Sequence, residues 1–378
     1  MDSVQTEWQN KYIENVINTK MLTAGFPMFP YVTFKKWHDP RSGLYMRPSS
    51  PMLSSGYLTL HNRPMILVEA HSLKPFKQRV EAIFYLMKET IAYLDNEYQT
   101  LLEANHLSDS LVLQLPRLNQ QYPLSYLLTD KCDTINFLGV DYDIIKSDLT
   151  NGDWFQYKPD SPRTFQIPMY KTIEPADFVE IPAAYIIGPE WGPLIQRRLD
   201  LHGIKHKTIS EDIDININTY VMNNPSWNKT PHEGRFMLND VELTQISQNQ
   251  HLIPGAIVIP TNQRRVKLIM NMFDPHSANS FLKYGFFNAI FEQSEYFETY
   301  VMEPMARKML DTIPELKERF NAWKKSQPQQ PTAYEQLYWF YQQTPYYDSK
   351  KNIYPVFSID DQSLENIKPY MNNKILIN

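Results

Sequence analysis

The sequence predicts an α/β fold made of a first α/β region, a β-rich α/β region and a helical tail. Three observations predict this fold. The apolar run 65–68 has the composition of a buried strand, and apolar residues recur at helical spacing after Pro75. Short alternating or apolar runs separated by turn residues then follow from about residue 107 to residue 300. We therefore predict domains at 1–106, 107–300 and 301–378.

The composition is that of a globular chain. Its 378 residues are enough for two domains or one large domain. The formal net charge is −5 and the lysines and arginines are scattered, so we expect no nucleic-acid partner. No segment approaches the length of about 18 consecutive apolar residues that a membrane span needs. The first residues also lack the basic start and apolar core of a signal peptide. We expect no membrane partner, and the compartment stays open.

Periodicity in the first region predicts two helices around the apolar run. An amphipathic first helix runs from Ser3 to Gly25, where the glycine ends it. The irregular segment 26–55 is long enough to be a functional loop or a lid. The longest helix begins after Pro75. We expect its apolar side to pack over a sheet, and eight residues form that side: Val80, Ile83, Phe84, Met87, Ile91, Leu94, Tyr98 and Leu101.

The second region is predicted to form its own α/β unit and to share no sheet with the first region. The strand, helix and strand between residues 183 and 209 imply a right-handed parallel crossover. A similar unit begins at residue 255, where we expect Thr261 to cap a helix. These two units are predicted to share one small sheet. The helical tail is predicted to end in a strand near 354–359.

Glu69 is the catalytic candidate because it directly follows the apolar run, with His71 two residues later. A carboxylate that leaves a buried strand into partly dry surroundings has a raised pKa, which suits a general acid or base near neutral pH. The alternative is a structural carboxylate that pairs with a nearby cation. Arg63, Lys74 and Arg79 are the available partners.

The motifs of several enzyme classes are missing. None of the nine histidines is followed by glutamate at the third position, so the sequence contains no H-x-x-E zinc pair. His202 and His206 stand four residues apart, but Gly203 breaks the helix between them and disfavours a metal pair. The single cysteine, Cys132, excludes an internal disulfide and a thiolate zinc cage. There is also no G-x-S-x-G elbow, P-loop or G-x-G-x-x-G motif.

Two stretches carry a resemblance to a known family. They are Gly56-Tyr57-x-x-Leu60-x-Asn62-Arg63 and the run from Ile66 through Glu69, His71 and Pro75 to Val80. Together they resemble the closing part of the zinc metallocarboxypeptidases related to carboxypeptidase A, in particular the large bacterial members with an extra C-terminal domain. The second region resembles those proteins more loosely. The resemblance implies that 1–106 is the C-terminal portion of a carboxypeptidase-like mixed α/β/α domain.

The resemblance also implies roles for individual residues. Glu69 matches the glutamate that activates the zinc-bound water as general base. Tyr45 and Arg47 are the candidates in the loop that carries the family's mobile tyrosine, and with His71 they are the candidate substrate-binding residues. Zinc is the expected cofactor of the family. The 68 residues before Glu69 do not contain the family's H-x-x-E zinc-binding motif, so we predict that this chain alone binds no zinc and is inactive.

Two functions are compatible with these observations. The first is a zinc carboxypeptidase that removes C-terminal residues from peptides, here as an incomplete chain whose zinc ligands lie in a missing N-terminal half. The second is a metal-free peptide-binding or accessory module of the same fold. In both cases the expected partner is the C-terminus of a peptide or protein. A third function, a scaffold or interaction domain, rests only on the β-rich region and its aromatic tail.

Overall fold

The structure is a computed structural model that describes residues 3–115, 121–293 and 295–372. It is a mixed α/β fold, as the sequence predicts. The chain divides into two compact units. The first unit consists of 1–216, 249–283 and 358–378, and the second consists of 217–248 and 284–357. The predicted boundaries at residues 106 and 300 do not coincide with the limits of these units, and the three-part division stays a prediction.

The described α-helices are α1 (Ser3–Tyr12), α2 (Ser54–Leu60), α3 (Phe76–Val112), α4 (Gly192–Leu201), α5 (Val266–Phe273), α6 (Thr299–Thr312), α7 (Leu316–Ser326), α8 (Ala333–Tyr341) and α9 (Asp361–Ile367). A π-helix continues α1, and three short 3-10 helices complete the set: Ile13–Met21, Pro189–Trp191, Asn288–Phe291 and Lys368–Tyr370. Within the described ranges, no helix combines the length and the apolar character needed to cross a bilayer.

The described strands are β1 (Phe34–Lys36), β2 (Asp39–Tyr45), β3 (Gln121–Leu128), β4 (Cys132–Lys146), β5 (Asp153–Tyr170), β6 (Ile173–Glu180), β7 (Ala184–Ile187), β8 (Lys207–Ile209), β9 (Ile213–Trp227), β10 (Leu238–Leu252), β11 (Ile257–Pro260), β12 (Val356–Ile359) and β13 (Met371–Asn372). In the first unit, β3 and β6 form an antiparallel ribbon.

The first helix packs against α3. The Tyr12 hydroxyl lies 2.6 Å from the Thr90 hydroxyl, and Lys20 forms a 2.7 Å ion pair with Glu89. A buried apolar cluster lies at this contact and contains Tyr12, Val16, Met21 and Leu86. Gly25 ends the first helix in a left-handed conformation, with φ of 83°, that a residue with a β-carbon rarely adopts. The predicted first helix and its end are confirmed.

The segment 65–71 is irregular rather than the predicted strand. Ile66 and Val68 pack against the cluster between α1 and α3, whereas Leu67 and Glu69 face solvent. Alternate apolar side chains are thus buried against helices, and the segment forms no sheet ladder. The prediction that Glu69 lies at the carboxyl end of a buried central strand is therefore wrong.

The longest helix, α3, begins after Pro75 as predicted, but its apolar side does not pack over a sheet. Phe84 is 69% exposed and Ile91 is 65% exposed. The side that carries Leu86 and Tyr93 instead contacts the first helix. Periodicity therefore predicts this helix correctly but not which of its sides is covered.

The first sheet has the strand order β1-β2-β5-β4. Strand β2 pairs with β5 in parallel, so that Leu44 lies opposite Met169 and Tyr45 opposite Tyr170. Apolar side chains of this sheet form a buried cluster of Leu44, Tyr142, Phe165, Ile167 and Met169. The expectation that the first two regions share no sheet is wrong, because β2 of the first region pairs with β5 of the second. The two strands are more than a hundred residues apart in the sequence, and local patterns do not predict pairing over such a separation.

The two predicted strand–helix units do share a sheet in the first unit. Strand β11 lies between β7 and β8 and is antiparallel to both, so β7 and β8 run in the same direction without being neighbours. Strand β13 pairs with β8. Thr261 does not cap α5, since its hydroxyl donates to the carbonyl oxygens of Pro182 and Ala183. Nearly all residues of α5 are buried, and Met270 and Phe273 contact Tyr185 of β7.

The second unit combines the long strands β9 and β10 with α6, α7 and α8. The backbone N–H of Tyr354 donates to the carbonyl oxygen of Tyr220, which ties the chain before β12 to β9. Thr332 and Glu335 form a capping box at the start of α8. The helices bury an aromatic-rich cluster: Met302, Ala306, Leu316, Phe320, Trp339, Phe340 and Tyr341. The helices predicted for the tail and the strand predicted near 354–359 are present, but α9 and β13 follow that strand.

Candidate functional site

Glu69 and His71 lie on the irregular segment that precedes α3, and both side chains are exposed. The imidazole Nδ1 of His71 accepts a hydrogen bond from the backbone N–H of Leu73 at 3.2 Å. Glu69 has no hydrogen bond or ion pair to any residue in the described ranges. The structural pairing of Glu69 with Arg63, Lys74 or Arg79 is therefore not formed, and its catalytic role stays a prediction.

Tyr45 and Arg47 lie together at the end of β2. The Arg47 guanidinium sits over the Tyr45 ring at 5.2 Å, and this ring is 5.5 Å from the ring of Tyr170. On the same pair of rings, the Lys35 ammonium lies 4.6 Å from the centre of Tyr170. The neighbouring rings of Tyr45 and Tyr170 thus each contact a cationic side chain. In the described part of the chain, no hydrogen bond, ion pair or ring contact joins them to Glu69, and their substrate-binding role stays a prediction.

The side chains present do not fit a catalytic zinc site. Among the described residues, no three His, Cys, Asp or Glu side chains are grouped closely enough to hold a metal ion. A catalytic zinc needs about three protein ligands and one open position. No catalytic step through zinc therefore follows from these residues, and the prediction that this chain alone binds no zinc stays a prediction.

A different set of polar side chains converges in the first unit, and we call Tyr57, His61, His202 and Arg265 the Tyr57 cluster. Tyr57 and His61 are one helical turn apart at the end of α2, with ring centres 4.3 Å apart. The Tyr57 hydroxyl lies 2.8 Å from Nδ1 of His202. All four side chains are partly exposed, although Nε2 of His61 itself is buried.

Local backbone geometry positions these side chains. At Gly56, a β-carbon would lie 2.2 Å from the carbonyl oxygen of Ser50, so only glycine allows α2 to approach that loop. Helix α4 ends at His202 because Gly203 adopts a left-handed φ of 63°. A β-carbon at Gly203 would lie 4.0 Å from Nη2 of Arg265. Gly56 and Gly203 thus allow the close backbone packing that places Tyr57, His202 and Arg265 near one another.

A half-buried carboxylate, Asp109, binds the cations beside this cluster. Arg63 donates two hydrogen bonds to Asp109, at 3.0 and 2.9 Å, and Arg264 donates one at 3.1 Å. Burial alone would raise the pKa of Asp109, but the hydrogen bonds from Arg63 and Asn62 outweigh it and lower that pKa. Asp109 therefore pairs with both Arg63 and Arg264, and its single charge offsets one of theirs. Arg265 forms no ion pair with a carboxylate in the described chain.

Burial and positive charge keep the two imidazoles neutral. Burial, reinforced by the charge of Arg265, lowers the pKa of His61 from 6.5 to about 4. Burial also lowers the pKa of His202, with Arg198 and Arg265 as further causes. The pKa of Arg265 is itself lowered by burial and by the charge of Arg264. At neutral pH the Tyr57 cluster thus carries one guanidinium charge beside two neutral imidazoles.

Two side chains of the Tyr57 cluster have polar groups without a protein partner. Nε2 of His61 is buried and has no hydrogen-bond partner in the described chain. The Arg265 guanidinium forms no ion pair within the described residues. Guanidinium, imidazole N–H and phenol groups are donors that suit a carboxylate, which accepts two parallel hydrogen bonds from arginine. The cluster therefore has the chemistry of a small anion-binding site.

Sequence reasoning missed this cluster. It named Tyr57 only within the stretch that carries the resemblance, it treated His202 as half of a disfavoured metal pair, and it assigned no role to Arg265. The i, i+4 spacing of Tyr57 and His61 was a usable signal, because it places both rings on one side of a helix. The proximity of His202 and Arg265 depends on how α4 and α5 fold back, and no local pattern reports it.

Comparisons with known proteins give a partial similarity. The chain is 27% identical over 104 residues to Carboxypeptidase 2 of Trichophyton rubrum. The similar stretch covers 28% of this chain and 19% of the fungal protein. No protein-family model matches the chain, and no solved structure matches it. The similarity supports a relationship to carboxypeptidases and leaves the reaction open.

Proposed function

We propose that the chain is a carboxypeptidase-related protein that binds the C-terminal carboxylate of a peptide at the Tyr57 cluster. One observation carries the proposal: the buried Nε2 of His61 and the guanidinium of Arg265 lie in one cluster without an acidic partner in the described chain. The similarity to a protein named carboxypeptidase supports a peptide as the ligand. This is the metal-free, peptide-binding function among those compatible with the sequence.

The energetics of the cluster favour an anionic ligand. A half-buried guanidinium without a partner costs free energy, as does a buried imidazole nitrogen without a hydrogen bond. A carboxylate would supply an acceptor to Arg265 and to the Nε2–H tautomer of His61. Asp109 does not compete for this role, because it is occupied by Arg63, Arg264 and Asn62. The donors of His61 and Arg265, which have no protein partner in the described chain, therefore support the proposal of an anionic ligand.

Calorimetry with a matched pair of peptides tests the proposal. We expect an N-acetylated tripeptide with a free carboxyl group to bind and the same tripeptide as its C-terminal amide not to bind. Arg265→Gln should weaken binding of the acid by about 10- to 100-fold, as removal of a charged hydrogen-bond partner does. The control is Arg197→Gln on α4, an exposed arginine outside the cluster. Equal binding of the acid and the amide would refute carboxylate recognition.

The second candidate function is zinc-dependent hydrolysis with Glu69 as general base. Its support is the sequence around Glu69 and the similarity to the fungal carboxypeptidase. Under this proposal the zinc ligands come from a separate N-terminal half of a peptidase domain, which is then the partner of this chain. An exposed carboxylate without an ion pair is free for such a role.

Elemental analysis and a carboxypeptidase assay separate the two functions. The chain alone should contain less than one zinc per molecule and release no C-terminal residues. If a supplied N-terminal half restores hydrolysis, Glu69→Gln should abolish that activity, whereas Glu81→Gln, an exposed residue of α3, should retain it. Turnover with one tightly bound zinc from the chain alone would overturn the assignment as a binding protein.

A further inference from the structure

The long helix α3 leaves an apolar stripe uncovered in the first unit. We call this stripe the α3 seam, and its members are Val80, Phe84, Met87, Ile91, Leu94, Tyr98 and Leu101. Five of them are 48–69% exposed, and Leu94 and Leu101 are half-buried. A contiguous exposed apolar surface of this kind marks an interaction site more often than a scattered set of apolar residues does.

The spacing of the α3 seam is that of a coiled coil. Its members follow one another at steps of four, three, four, three, four and three residues, which is the a and d pattern of three heptads. In this pattern Phe84, Ile91 and Tyr98 are a positions. The other side of α3 is already occupied by the first helix, through Tyr12, Lys20 and the apolar cluster. The seam is therefore the side of α3 that remains for a partner helix.

The flanking charges favour a second copy of the same helix in antiparallel orientation. Lys88 and Asp95 occupy successive e positions, and both are exposed. In an antiparallel pair, a residues pack against d residues of the partner and e positions face each other. The register that places Ile91 opposite Leu94 of the second copy also places Lys88 opposite Asp95, twice by symmetry. The same register pairs Phe84 with Leu101 and Met87 with Tyr98.

We propose that two copies of this chain associate through the α3 seam as an antiparallel helix pair in this register. Six apolar layers and two Lys88–Asp95 ion pairs form the contact, and no like charges face each other at the e or g positions. A parallel pair would bury the same seam but would leave Lys88 and Asp95 opposite uncharged residues. Charge complementarity thus selects the antiparallel copy as the occupant.

Sedimentation equilibrium of the full chain tests the proposal. The wild type should be dimeric in the micromolar range. Lys88 lies 3.9 Å from Glu89 of its own helix, so the single variant is made at Asp95. Asp95→Lys alone places like charges opposite Lys88 of the second copy and should raise the dissociation constant about tenfold. The double variant Lys88→Glu with Asp95→Lys restores opposite charges and should return within about threefold of wild type. Glu103→Lys, an exposed residue of α3 outside the seam, is the control and should leave the dissociation constant unchanged.

Further outcomes decide against the proposal. A wild type that stays monomeric, or a double variant as weak as the single variant, would overturn the antiparallel pair. Ile91→Asp should yield a monomer with an unchanged circular dichroism spectrum, because the Ile91 side chain is 65% exposed and packs little within one copy. A dimer that persists in Ile91→Asp would show that association uses another surface.

Discussion

His61 shows how one residue links stability to the proposed site. Its imidazole is placed by α2 against Tyr57, and its Nε2 has no partner in the described chain. Burial and the charge of Arg265 lower its pKa to about 4, so the imidazole is neutral at physiological pH. A neutral imidazole beside a guanidinium can donate to a carboxylate without adding a second positive charge to the cluster.

The lowered pKa of His61 predicts a pH dependence of folding. The unfolded chain binds a proton at His61 below about pH 6.5, whereas the folded chain does so only near pH 4. The contribution to stability is therefore present above pH 6.5 and is lost as the pH falls toward 4. Urea unfolding at pH 7.5 and pH 5 should show a smaller loss of unfolding free energy for His61→Asn than for wild type.

A matched variant isolates that effect, because other carboxylates also titrate over this range. His71 is exposed and lies outside the Tyr57 cluster, so His71→Asn should follow the wild-type dependence. Identical pH dependence in wild type and His61→Asn would show that His61 is not held in its neutral form by the fold.

At the scale of elements, the contact between the first helix and α3 supports the irregular segment 65–71. Ile66 and Val68 pack on the same cluster as Tyr12 and Leu86. The positions of Glu69 and His71 thus depend on helix packing rather than on a sheet. Removal of apolar volume from this cluster should loosen both helices.

Leu86→Ala should reduce the free energy of unfolding by about 2–4 kcal/mol, because it creates a cavity at a side chain that is only 5% exposed. Leu107→Ala on the same helix is the control, since Leu107 is 49% exposed and its loss should cost less than about 0.5 kcal/mol. Urea unfolding at one fixed protein concentration measures both. Equal effects of the two variants would contradict the packing described for α3.

The elements differ in how well the sequence predicts them, and the difference has a physical reason. The first helix, α3 and the tail helices have apolar residues at the period of a helix over several turns, which few other structures produce. The run 65–68 is too short for such a pattern, and its apolar residues are equally compatible with burial against two helices. The exposed side of α3 was unpredictable because periodicity identifies a stripe and not its partner.

At the scale of the whole molecule, contacts between distant segments determine which side chains become neighbours, and local sequence patterns do not predict these contacts. Tyr45 and Tyr170 become neighbours because β2 pairs with β5, and the Tyr57 cluster forms because Arg265 returns to α2. Glu69, which the resemblance singled out, lies exposed outside that cluster. The candidate residues predicted from the sequence all lie within residues 45–71. The residues of the Tyr57 cluster come from three separate segments of the chain.

The central claim is that a peptide carboxylate occupies the Tyr57 cluster, and the titration of His61 tests it most directly. Histidine side-chain NMR signals should be followed between about pH 3 and pH 7 with and without saturating N-acetylated tripeptide acid, with His61→Asn providing the assignment. A carboxylate beside His61 stabilises the imidazolium, so its pKa should rise above the value of about 4 in the free protein. The C-terminal amide should leave the titration unchanged. An unchanged pKa of His61 with the acid bound would contradict the claim, because the carboxylate would then lie elsewhere.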